Sequence, residues 1–177
     1  MRALILGGGS CVWDDIRALG TWDGLVIAVN DVGCVYPYPV DHWCSLHAEK
    51  LAGWALERKG RGFDMTFTTW TRPEREGADR QLAGWSSGSS GMFAVGVALE
   101  LGAESVVLAG VPMEPRPHFF DATAWTDFAN YRGAWEKRAD RLRGRVYSMS
   151  GWTRDLLSGP PWLEPARTVT LTDGAGC

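Results

Sequence analysis

Residues 88–113, Gly-Ser-Ser-Gly-Met-Phe-Ala-Val-Gly-Val-Ala-Leu-Glu-Leu-Gly-Ala-Glu-Ser-Val-Val-Leu-Ala-Gly-Val-Pro-Met, constrain the fold more than any other stretch. A hydroxyl-rich turn leads into an apolar helix (Met92–Leu101), a tight turn, and a short apolar strand (Ser105–Ala109) closed by Gly110. Leu4-Ile5-Leu6-Gly7-Gly8-Gly9-Ser10 opens the chain with a second strand-to-glycine-to-helix junction. Such junctions leave backbone N–H groups free at a helix N-terminus, where phosphate is favoured. Two of them in 177 residues predict a nucleotide site.

Further apolar runs fall at Leu25–Val29, His42–Leu46, Phe63–Thr68 and Val146–Met149. Helical spacing is expected over Val12–Leu19, His47–Lys59, Thr123–Leu142 and Thr153–Leu157, and a loop over Val32–Pro39. Residues 70–87 are charged without a period and read as an exposed excursion, a flap over the glycine turns. Strands alternating with helices predict an α/β, Rossmann-like doubly wound, mostly parallel sheet with helices on both faces, its ligands at the carboxyl ends of the strands. Residues 1–158 read as one nucleotide-binding domain and 159–177 as a loosely held tail. Ten tryptophans close the core around the sheet, with one or two left to stack on a base or sugar.

Composition narrows the partners. A net charge of −3 gives no pull toward nucleic acid or anionic membrane, and no apolar run has membrane length. Four cysteines without a CxxC pair support neither a zinc ribbon nor a disulfide framework, which points to a reducing cytoplasm. Met1-Arg2 running straight into a strand argues against a signal peptide. A homo-oligomer is compatible with the sequence.

The candidate site residues follow from the strand ends. Gly7, Gly8, Gly9 and Ser10 form the first turn, but Val12 stands where a dinucleotide fingerprint needs glycine, and Asp14 and Asp15 occupy the positive end of the helix. Asn30 and Asp31 end the second strand, placed to hold a base, a ribose or a magnesium ion, or simply to form an Asx turn. Ser89, Ser90 and Gly91 form the stronger anion site. No lysine follows them, so this is no Walker loop. His47 and His118 are proton-transfer candidates, Asp121 being placed to orient His118 or to cap the next helix. His42 reads as a core or capping residue. Three scattered histidines make no zinc site, so no protein metal site is expected. Tyr131-Arg132 could reach a phosphate.

The order of motifs resembles the bacterial sialyltransferases that use CMP-sialic acid, together with the hydroxymethylpterin pyrophosphokinase-like proteins of the same fold group. The resemblance runs through Ile5–Ser10, Val26–Asn30, Ser89-Ser90-Gly91, the Leu-Gly-x-x-x-Val-x-Leu-x-Gly run of Leu101–Gly110, the His118–Asp121 block, and Ser150-Gly151-Trp152-x-x-x-Leu-Leu ending at Leu157. It implies that Gly7–Ser10, Asn30 and Ser89–Gly91 hold the nucleotide, that His118, Phe119 and Asp121 face its phosphate, and that Ser150 and Trp152 lie near base and ribose. The chain departs from the group at Gly8, where the sialyltransferases carry asparagine, and at Gly110-Val111-Pro112, where they carry Gly-x-Asp. The segment from Pro112 to Thr123 is too short for their acceptor lid, so the chain resembles a reduced version. The resemblance implies a nucleotide-binding, glycosyltransferase-like transferase using a CMP-activated or other nucleotide-activated donor. A pyrophosphokinase-like enzyme using ATP and magnesium, and a non-catalytic nucleotide-sensing or assembly protein, stay open beside it.

Overall fold

The computed structural model describes residues 1–87 and 89–163. Gly88 and the tail beyond Leu163 lie outside the described residues. Seven strands form one sheet in the order β5-β4-β3-β2-β1-β6-β7, every neighbouring pair parallel. They are β1 Arg2–Leu6, β2 Leu25–Val29, β3 His42–Cys44, β4 Thr68–Thr71, β5 Arg80–Gln81, β6 Ser105–Ala109 and β7 Val146–Ser148. The helices are α1 Val12–Leu19, α2 Val32–Val35, α3 Ala48–Gly60, α4 Ser90–Glu100, α5 Phe128–Glu136, α6 Ala139–Leu142 and α7 Gly151–Leu157. The fold is thus a Rossmann-like, doubly wound α/β sheet.

Strand periodicity explains the two layers. Ala3 and Ile5 of β1 face one core with α4 and with Trp135, Leu142 and Leu157, while Leu4 and Leu6 face the other with α1, α2 and α3. Strands covered on both sides need apolar residues at every position, which is why β1, β2 and β6 are legible as continuous runs. The α4 helix is buried from Ser90 through Ala98, so it is apolar all round rather than striped.

Four expectations are corrected. Phe63–Thr68 is mostly loop and β4 begins at Thr68. Asp64 accepts from the Thr66 N–H and hydroxyl, while the fully buried Arg58 gathers the Gly33, Tyr36, Tyr38 and Asp64 carbonyls. Residues 70–87 are not a flap: they hold the end of β4 and all of β5, and Trp85 packs on the core between the guanidinium groups of Arg138 and Arg141. The helix expected over Thr123–Leu142 starts only at Phe128 and breaks after Glu136, where Arg138 turns to the Gly84 carbonyl. A short helix, α2, stands inside the expected loop Val32–Pro39. Of the segment read as a tail, Gly159 and Pro160 are buried and Trp162 sits edge-on to Tyr147. Among the described residues no helix is long and apolar enough to cross a membrane.

Candidate functional site

Successive strands are added on one side of β1 up to β5 and on its other side from β6, and parallel sheets open a crevice at such a switch point beyond their carboxyl ends. A cleft of about 430 Å³ lies there. Gly7, Gly8, Gly9, Asn30, His47, Ser89, Ser90, Gly91 and His118 all line it. Glu114, Arg116, Trp125 and Asp127, which the sequence did not single out, join them, with Tyr131. At this volume the cleft exceeds what one oxyanion needs and falls in the range of small-molecule sites.

The first glycine turn is largely spent on the protein itself. Gly7 N–H donates to Ala109 O (2.8 Å), Gly9 N–H to Gly110 O (2.9 Å) and Ser10 N–H to Pro117 O (3.0 Å). Ser10 does not line the cleft, and the positive end of α1 is closed by the 113–127 segment, which lies antiparallel on the turn through a Gly9–His118 bridge. We name this segment the strap. Close approach of the 110–112 turn accounts for Gly7 and Gly9: a Cβ on Gly7 would stand 2.5 Å from Gly110 O, and one on Gly9 2.7 Å from Pro112 Cδ. At Gly8 the missing side chain makes room for the His118 ring, whose Nδ1 would lie 2.9 Å from a Cβ there. An asparagine at this position would have to displace the His118 ring.

The α4 end is different. Ser89 caps the helix, its Oγ accepting from Met92 N–H at 3.1 Å. Ser90 Oγ accepts from Leu46 N–H at 3.3 Å. Among the described residues the N–H groups of Ser90 and Gly91 have no protein acceptor, as the first turn of a helix dictates, and both residues line the cleft. Asn30 stands opposite on the end of β2 with a left-handed φ of 55°, a conformation asparagine tolerates better than most residues. Its Oδ1 accepts from Ser45 Oγ (2.8 Å), which itself accepts from His47 N–H (2.9 Å).

His118 is placed by the strap. Its Nδ1 lies 3.1 Å from Gly8 O. A carbonyl only accepts, so Nδ1 carries the proton and Nε2 is the basic nitrogen. Phe120 stacks on the imidazole at 5.3 Å, Trp125 lies tilted at 5.8 Å, and Trp125 in turn stacks on Tyr131, giving the cleft an aromatic wall. His47 sits at the rim, half-exposed and 3.5 Å from Glu49.

Five residues expected at the site do other work or stand outside the cleft. Ser10 binds the strap. Asp121 does not orient His118 but accepts from Thr123 N–H at 2.8 Å. Asp31 begins α2 outside the cleft lining, and burial pushes its carboxyl above the usual value of 3.8. Ser150 donates to Asp15 (2.8 Å), whose same oxygen accepts from Gly110 N–H (2.8 Å), so it ties α7 to α1 and the β6 loop. Trp152 covers the Arg132 guanidinium at 4.7 Å, with Phe128 on Arg132 at 4.8 Å. Arg132 lies outside the cleft lining: its Nε and Nη2 fork holds the carbonyl of Met113 (3.0 and 2.8 Å), itself at a left-handed φ of 50°.

Asp31, the carboxylate expected to hold magnesium, lies outside the cleft lining and burial raises its pKa; among the described residues no three His, Cys, Asp or Glu side chains converge. No family model, curated protein or solved structure matches the chain.

Proposed function

We propose that the switch-point cleft binds a nucleotide-type ligand and that the protein is a transferase acting on a nucleotide-activated donor, a CMP-sugar being the first candidate. The observation that carries this reading is the meeting, in one cleft, of the free Ser90 and Gly91 amides and Asn30 with an aromatic wall. Donors at a helix N-terminus suit a phosphate. The rings of Trp125 and Tyr131 suit the face of a base or sugar.

In the transfer, an acceptor hydroxyl forms a bond to the sugar carbon that leaves the phosphate. The bonding pair of the broken carbon–oxygen bond goes to the phosphate oxygen, whose added charge the Ser90 and Gly91 amides and the Asn30 amide stabilise. The acceptor's proton goes to His118 Nε2, which the Nδ1 contact to Gly8 leaves basic. No step is assigned to magnesium, whose expected carboxylate, Asp31, lies outside the cleft lining.

A thermal-shift panel of CMP, CMP-sugars, UDP-sugars, ATP with and without magnesium, and NAD tests the reading. CMP and CMP-sugars are expected to raise the unfolding temperature without added metal. Stabilisation by NAD alone, or by ATP only with magnesium, would overturn it. Tight CMP binding with no turnover of any donor would leave a nucleotide sensor.

A further inference from the structure

The end of β3 decides which way round its neighbours face. Ser45 is fully buried, and its hydroxyl takes the His47 N–H on one side and stands against Asn30 Oδ1 on the other. A hydroxyl has one proton to give, and here Oδ1 is its acceptor. The Asn30 carboxamide is thereby fixed with its oxygen toward the protein. Its Nδ2 has no protein partner among the described residues and is not a buried atom, so the amide hydrogens serve the cleft that Asn30 lines. The next residue treats Ser90 alike: Leu46 N–H occupies a lone pair of Ser90 Oγ and leaves the O–H free to donate.

We propose that Ser45 is a positioning residue that sets the polarity of Asn30, so that the amide turns its two hydrogens, beside the Ser90 and Gly91 N–H groups, into the corner between β2, β3 and α4. Such a corner favours an acceptor-only oxyanion, the phosphoryl group of a nucleotide. This rests on the nucleotide reading for its ligand but not for the relay itself.

Titration calorimetry with inorganic pyrophosphate and with CMP is run on the intact chain and on Ser45→Ala, Ser45→Cys and Asn30→Asp. Ser45→Cys keeps the shape of the side chain, slightly enlarged, but donates weakly. Both Ser45 variants are expected to bind about tenfold more weakly. Asn30→Asp keeps an acceptor for Ser45 and replaces the cleft-facing donor by a charge, so it should bind at least about a hundredfold more weakly while unfolding at the wild-type urea midpoint. Wild-type affinity in Asn30→Asp, or in a folded Ser45 variant, overturns the proposal. The side-chain Cγ resonance of Asn30 gives a ligand-free readout, expected to move upfield in Ser45→Ala as the hydrogen bond to Oδ1 is lost. An unmoved resonance overturns the relay. Silence of both probes on the wild-type chain overturns the nucleotide reading instead, and the resonance then judges the relay alone.

Discussion

An imidazole whose Nδ1–H is held by a backbone carbonyl keeps one tautomer, and His118 is held in this way by Gly8. Replacing it with asparagine keeps a donor at the δ position for that carbonyl and removes the proton acceptor at Nε2. His118→Asn is expected to lower donor turnover about 10²- to 10⁴-fold while CMP affinity changes less than about twofold. A parallel loss of affinity would make His118 a binding group only. His118 could be singled out in the sequence because histidines are rare and this one follows a strand end. Ser45 and Asp15 could not. Their partners Asn30 and Ser150 lie 15 and 135 residues away, and only the sheet brings them together.

Among the elements, the irregular 110–113 turn is braced from every side. Asp15 accepts from Gly110, Thr153 donates to Val111, and Arg132 forks onto Met113. Lysine at 132 could offer neither the fork nor the flat cation between Phe128 and Trp152. Arg132→Lys is therefore expected to cost about 1–2 kcal/mol of stability, read as a lower urea midpoint, and to weaken CMP binding through the loosened cleft wall. An unchanged midpoint would show that the brace is redundant. The same scale shows where the sequence was readable. The central strands announced themselves because both faces are buried, whereas Phe63 and Phe67 imitated a strand. Their apolar rings are satisfied in a loop, Phe63 against Arg58 and Phe67 edge-on to Trp43. A two-residue strand such as β5 carries too few positions to show any period.

For the molecule as a whole, acidity bears on stability through Asp15, which is buried at the junction of α1, the β6 loop and α7. Burial raises its carboxyl above 3.8 despite the two donors. The unfolded chain then ionises this group first, so its contribution is full below about pH 4 and is lost as pH rises through the folded value. Both donors meet a single oxygen, which an amide also supplies. Asp15→Asn should thus fold at neutral pH and lose less stability between about pH 4 and 7 than the wild type, measured by urea midpoints. Equal slopes would refute the assignment. The parallel sheet followed from the alternation of strand and helix, whereas the strand order, and with it the switch point, is set by pairings that alternation does not specify. The strap did not, since its pairing with the first turn depends on one isolated bridge. That bridge seats the His118 ring in the space Gly8 vacates. The two positions consequently form one unit of inheritance: a descendant chain that regains a side chain at 8 must give up the imidazole at 118 or swing it away. Surveyed in future relatives, bulky residues at 8 should be found without histidine at 118, and a relative keeping both in one place would break the rule.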